Sequence, residues 1–414
     1  MFPLAVSNQI HNLDYLSIKF KRLILSACLI LLASACTQQE EISFDNIEVP
    51  SSSLEAYGYK ATFSYPSFSG EFDVGSDSIL VTDFSRINPF VANSIDNRKL
   101  QIRFYYPTTT RPSDNNENKL PVISPDAWDY MIGHQEISGK KLRFDNYRDA
   151  KWNINLNQPV STEQSDYPVL IFSHGYGYSA ESYSAMSAEL ASKGYVVVSI
   201  NHAYGANPSY LSDGKPVWAK ALPKDDLAAY LSIWSDDQIF IIDQLNFINN
   251  NPDSLFFQKL NLANLGVFGH SYGGAAAYHT AAKDSRVKAL IDIDGTIFNF
   301  EQEFITQPFA FILSKDHRPK FDYRHSEGET YELRFNDFEH ISFTDHLLWW
   351  QWDHDELDLG LGNINGYRAV ELTTEIVDDF FGHFLLSKES QWFQTNNVKT
   401  SNIKTKEVSL VRKN

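Results

Sequence analysis

The sequence predicts an α/β fold: a mostly parallel central sheet with an antiparallel amino-terminal edge and helices on both faces. From about residue 165 onward, short apolar runs alternate with helix-forming stretches, the order that a sheet with crossover helices requires. Val169 to Phe172 and Phe309 to Leu313 are apolar throughout, as strands buried on both faces are. Upstream, Ile79-Leu80-Val81 and the stretch Leu100 to Pro107 alternate or run apolar and end at turn residues, as antiparallel edge strands do.

With 414 residues, 43% hydrophobic and 14% aromatic, the chain can build a large core in one large domain or two small ones. The net charge is -17, and no block of basic residues falls inside the expected domain. This excludes nucleic acid as a partner class.

Residues 1–35 read as an export signal. Lys19, Lys21 and Arg22 are its basic part, Leu23 to Leu32 its mostly apolar part, and Ala33-Ser34-Ala35-Cys36 its small-residue end. The segment is too short to span a bilayer. Small residues directly before a cysteine resemble the lipobox of bacterial lipoproteins, which implies Cys36 as the lipid anchor of an exported, envelope-bound protein. Leu25-Ser26-Ala27-Cys28 is also lipobox-like but follows too brief an apolar run. A signal cleaved without lipidation, or an uncleaved anchor, are the alternatives. Cys28 and Cys36 are the only cysteines, so the processed chain is expected to hold no disulfide and no cysteine nucleophile.

Residues 36–56 are polar and suit a tether, and 57–389 form the expected α/β domain. Strands are expected at Val169 to Phe172, Val196 to Ile200, Leu265 to Phe268, Val287 to Ile293, Phe309 to Leu313 and Tyr331 to Phe335. Helices are expected at Ser179 to Lys193, Asp225 to Asn249, Ala275 to Ala282 and Tyr367 to Leu386. An irregular aromatic stretch fills about 122–165, and the tail 390–414 reads as frayed. Ligands of such a sheet bind at its carboxyl edge.

Gly269-His270-Ser271-Tyr272-Gly273-Gly274 sits between the strand ending at Phe268 and a run of small helix formers. That context makes it a nucleophile elbow, the strained strand-to-helix turn of an α/β-hydrolase fold. Glycine is needed on both sides of Ser271 because the turn leaves no room for side chains. The helix behind the serine aims its positive end at a developing oxyanion, so the backbone N–H of Tyr272 is a candidate oxyanion donor.

A serine hydroxyl needs a base, and the base needs a carboxylate to orient it. In this fold the chain order is serine, acid, histidine. His340, in the loop after the last parallel strand, is the candidate base, ahead of His346, read as a surface or helix-end residue, and His354. Asp294 and Asp316 each end a strand at the correct edge and are the candidate acids; Asp292 shares a face with Asp294 but lies deeper.

His174-Gly175-Tyr176-Gly177 after a strand, the elbow itself, the run Asp292-Ile293-Asp294-Gly295 and Phe338-Glu339-His340 resemble the secreted, calcium-independent platelet-activating factor acetylhydrolases, loosely from Leu100 to Leu386. In that family the acid lies 23 residues beyond the serine, the offset of Asp294 from Ser271, which favours Asp294 over Asp316. The resemblance places the second oxyanion donor on the Tyr176 N–H and gives His174 a loop-supporting role. It implies a carboxylic-ester hydrolase for phospholipids with short or oxidised acyl groups, needing no cofactor or metal. The tyrosines at both oxyanion positions depart from the smaller residues often found there. Related bacterial dienelactone-hydrolase-like and polyester-cleaving enzymes share the elbow, so small soluble or polymeric esters are the alternative substrates. A surface-anchored binding protein without turnover is the alternative class.

Other features read as structural. Trp349, Trp350 and Trp352 suit core packing better than an acyl pocket or a membrane contact. Asp353-His354-Asp355-Glu356 with Asp358 fits neither a zinc nor a calcium spacing and reads as a solvated face. His202 and His279 are expected to be structural.

Overall fold

The computed structural model of the chain describes residues 65, 67–91, 93, 95–111, 118–130, 150–212, 214–221, 227–350, 362–393, 402–404 and 407–413. The export segment, Cys36, the tether, Trp352, His354 and the acidic run ending at Asp358 lie outside the described residues. Nearly all described residues belong to one unit, Tyr57–Ala219 with Ala228–Asn414.

The parallel strands are β5 (Tyr167–Ser173), β6 (Val196–Asn201), β9 (Leu260–His270), β10 (Val287–Ile293), β11 (Phe309–Leu313) and β12 (Thr330–Phe335). Their in-sheet order is β12-β11-β10-β9-β5-β6, every neighbour parallel. Every residue of β5, β6 and β11 is buried, which is why these segments show no polar alternation. Beyond β6 come β2 (Asn97–Thr108) and β1 (Asp73–Ile87), successively antiparallel, the edge expected from their sequences. A two-stranded hairpin of β7 (Ser209–Tyr210) and β8 (Pro216–Val217) stands apart.

Four helices matter to the site: α1 (Ser184–Ser192), α2 (Leu227–Asn250), α3 (Tyr272–Lys283) and the long α5 (Gly366–Leu386), with the short α4 (His346–Trp350) before it. Leu170 and Phe172 of β5 join one apolar cluster with Leu190 of α1 and Phe381 of α5. Val169 and Ile171 are equally buried but outside it, so they face the opposite side by strand alternation. On that side α2 and α3 meet, Thr280 Oγ1 donating to Gln238 Oε1 at 2.6 Å. The sheet is therefore covered on both faces.

The structure corrects two expectations. Part of the stretch expected to be irregular forms β4 (Lys151–Leu156), parallel to β1, and pairs β3 (Lys119–Pro121). These short strands gain their order from non-local pairing, which local sequence does not encode. The tail expected to fray adds β14 (Val408–Arg412), antiparallel to β12, with β13 (Asn402–Lys404) outside it. Val408 and Leu410 are fully buried, an alternation that docks the strand. Trp349 is buried in the core cluster, as read from sequence.

Candidate active site

Ser271 follows the last residue of β9 and precedes the first of α3, with φ 55° and ψ -119°. Such a conformation costs on the order of 1–3 kcal/mol for a non-glycine residue. Its amide donates to the Ile293 carbonyl at 2.7 Å, and its own carbonyl accepts from Gly274 and Ala275, both at 3.1 Å. The flanking glycines are required sterically. A Cβ on Gly273 would lie 2.2 Å from the Ser173 carbonyl oxygen, and one on Gly269 would lie 2.4 Å from the Gly273 carbonyl carbon.

The Ser271 hydroxyl lies 3.1 Å from Nε2 of His340, and Nδ1 of His340 lies 2.6 Å from Oδ2 of Asp294. An ionised carboxylate only accepts, so Nδ1 carries the proton and Nε2 is free to accept from the serine. Asp294 sits at φ 54° directly after β10. Its Oδ1 accepts from the Ser314 amide at 2.6 Å, which fixes the carboxylate plane and leaves Oδ2 to the imidazole. Burial works against its charge, yet His317 and His340 together hold the carboxyl well below the usual carboxylate range. Asp316, the other candidate acid, is exposed and makes no contact with His340 among the bonds of the described residues.

Tyr272 opens α3, and the loop carrying Tyr176 packs against Ser271: a Cβ on Gly175 would lie 3.3 Å from the Ser271 Cβ. The rings of Tyr176 and Tyr272 meet edge to face at 5.7 Å, and both contact Trp234. His174 is buried, with burial pushing its pKa down to about 3. Its Nδ1 donates to the Gly175 carbonyl at 2.7 Å and its Nε2 accepts from the His202 amide at 3.2 Å, so it braces the loop. His346, expected near the surface, is buried at the start of α4, its Nε2 3.2 Å from the Ser182 hydroxyl.

A second serine–histidine–aspartate array lies deeper. Ser173 Oγ is 2.9 Å from His202 Nε2, and His202 Nδ1 is 2.9 Å from Asp237 Oδ2. Ser173 and His202 are wholly buried, Gln238 donates to the Ser173 hydroxyl at 2.7 Å, and Arg98 pairs with Asp237 through two bonds of 3.1 and 2.6 Å. The Ser173 hydroxyl is closed off from solvent. The array ties β5, β6, α2 and β2 together beneath the His174–Gly177 loop.

Sequence reasoning missed three side chains at the site. His317 Nδ1 lies 3.4 Å from Asp294 Oδ1. His270 and Tyr183 are hydrogen-bonded to each other at 2.8 Å beside His340. The adjacency of His270 to Ser271 was the available signal; for Tyr183 and His317 there was none without the fold. Among the described residues no cluster of histidine, cysteine, aspartate or glutamate is arranged to hold a metal ion.

A serine on a strand-to-helix elbow, at the carboxyl edge of a parallel sheet covered on both faces, defines an α/β-hydrolase fold. More particularly, the chain belongs to the family of platelet-activating factor acetylhydrolase, isoform II, whose model matches residues 57–216 and 243–330, more than half of the chain. The match includes Ser271 and Asp294 and stops before His340. Relatives include the platelet-activating factor acetylhydrolases of Cavia porcellus, 28% identical over 53% of this chain and 56% of the relative, and of Canis lupus familiaris, 24% identical over 60% of each. A probable 1-alkyl-2-acetylglycerophosphocholine esterase of Arthroderma benhamiae is 23% identical over 58% of this chain and 60% of the relative. The chain thus spans little more than half the length of the curated relatives it matches. A ferulic acid esterase from Streptomyces cinnamoneus shares the fold, with TM-score 0.64 and 23% identity over 80% of this chain and 95% of that one.

Proposed function

We propose that this chain is a serine carboxylic-ester hydrolase acting on phospholipids with short or oxidised acyl groups. The observation that carries the reading is the Ser271–His340–Asp294 array, with its 3.1 and 2.6 Å contacts, in a chain of this family. Ser271 Oγ attacks the ester carbonyl while His340 Nε2 takes its proton, and the tetrahedral oxyanion is held by the Tyr176 and Tyr272 amides. His340 then protonates the leaving alkoxide. A water, deprotonated by the same nitrogen, cleaves the acyl-serine. Asp294 holds the imidazole and stabilises its charged form.

The tyrosines at both oxyanion positions, backed by Trp234, favour a second substrate class within the same chemistry: small soluble or polymeric esters with flat acyl groups. Export and acylation at Cys36 complete the proposal, with residues 1–35 removed and 36–56 as tether.

A fluorophosphonate probe and a hydrolysis series test these readings on the same protein. Labelling of wild type but not of Ser271→Ala, with 2-acetyl phospholipid cleaved faster than its long-chain counterpart and than soluble aryl esters, is the expected result. A folded protein that binds ester without labelling is instead a binding protein on this fold. Radioactive palmitate incorporated by wild type and not by Cys36→Ala tests the anchor.

A further inference from the structure

His270 is wholly buried, and its ring lies 4.5 Å from that of His340. Its Nε2 is 3.0 Å from the His340 carbonyl oxygen, which can only accept, so Nε2 carries the proton and donates. Nδ1 is then an acceptor, and it takes the proton of the Tyr183 hydroxyl at 2.8 Å. The Tyr183 oxygen in turn accepts from the Gly175 amide at 3.2 Å. Every bond in this chain has one permitted direction. Burial and the neighbouring His340 hold the His270 pKa well below its ordinary value, so the ring stays in this single neutral tautomer.

Two side chains thereby join three segments that are far apart in sequence. Gly175 precedes Tyr176 in the loop after β5, His270 precedes the nucleophile at the end of β9, and His340 lies in the loop after β12. We propose that Tyr183 and His270 are positioning residues, whose hydrogen-bonded pair holds the amide-bearing Gly175–Tyr176 loop and the His340 backbone in register with Ser271. Neither side chain meets substrate. Both end points are backbone groups of segments that act on the transition state, so their loss moves turnover rather than ground-state binding.

The inference rests on the hydrolase reading, and the experiment separates the two. Wild type is first assayed on 4-nitrophenyl acetate and labelled with fluorophosphonate; an inert, unlabelled wild type overturns the function itself. With active wild type, Tyr183→Phe deletes one oxygen and leaves the ring packing in place. The expected result is kcat lowered about 10- to 100-fold with KM within twofold, because displacing an oxyanion donor costs less than the 10²- to 10³-fold of deleting one. Inhibition by a trifluoromethyl ketone, which forms a tetrahedral adduct on the serine, weakens by the same factor. His270→Gln, whose amide can still donate to the His340 carbonyl, retains more turnover than His270→Leu. Unchanged kcat in Tyr183→Phe, or a loss confined to KM with the ketone unaffected, overturns the proposal. If Tyr183→Phe does not fold, His270→Leu, which can make neither bond, carries the same readings, with lowered kcat at constant KM supporting the proposal and wild-type kcat overturning it.

Discussion

Asp294 Oδ2 meets His340 Nδ1 at 2.6 Å across 46 residues of sequence, while the other oxygen of the same carboxylate is committed to the Ser314 amide at 2.6 Å. That division of labour predicts what an amide would do. In Asp294→Asn the Ser314 N–H keeps the side-chain oxygen, so the NH₂ faces His340 and forces the proton onto Nε2. The imidazole is then in the wrong tautomer to accept from Ser271. Turnover is expected to fall roughly 10⁴-fold, as in other serine triads, whereas exposed Asp316→Asn leaves kcat within a few-fold. Steady-state kinetics on one ester decides between them.

Asp292, two residues earlier, predicts the opposite. It is wholly buried, and burial together with the nearby Asp294 charge raises its pKa well above the ordinary value, against one amide bond from Gly295 at 2.7 Å. A neutral acid is close in shape and charge to asparagine. Asp292→Asn is therefore expected to keep kcat within a few-fold and the melting temperature near that of wild type at neutral pH; a loss comparable with Asp294→Asn would show that Asp292 is charged.

Asp345 supplies a pH dependence of stability. Its carboxylate accepts from the Ala185 amide at 3.0 Å at the start of α1, but burial pushes its pKa up to about 7 from 3.8. The folded form therefore binds the proton more tightly than the unfolded chain does. Its contribution is fully present below pH 4 and is lost as pH rises to about 7, by at most roughly 1.4 kcal/mol per pH unit. Relative to Asp345→Asn, the melting temperature of wild type should decline across this window and then run parallel. A constant difference from pH 4 to 8 would refute it.

The Arg98–Asp237 pair predicts a stability effect away from Ser271. Both side chains are essentially unexposed, and Arg98 Nη1 also donates to the Ala203 carbonyl at 2.7 Å. Arg98→Met removes the closer of two guanidinium groups on Asp237 and leaves Arg86, 2.9 Å from Oδ1, as the remaining one, so a loss of about 1.5–3 kcal/mol is expected. Urea titration should show a lowered midpoint, with kcat per folded molecule less affected than stability.

Most of the fold was legible in the sequence because strands buried on both faces are written as continuous apolar runs. The strands β5 and β11 fall where those runs lie, and the elbow is readable because its glycines answer to a local steric need, backbone atoms little more than 2 Å from where a Cβ would stand. Chain order and strand ends also narrowed the acid to two aspartates and the base to three histidines. The sequence by itself determined the parallel strands of the sheet and which residue types stand at its carboxyl edge. It could not determine which of those residues meet. Asp294 rather than Asp316 reaches His340 because a left-handed turn after β10 and the Ser314 amide aim its carboxylate there. The docking of β14, the burial of His346, and the Tyr183–His270 bridge were likewise decided by tertiary structure. Each depends on contacts between segments far apart in the chain, and such contacts leave no periodic mark on the residues that make them.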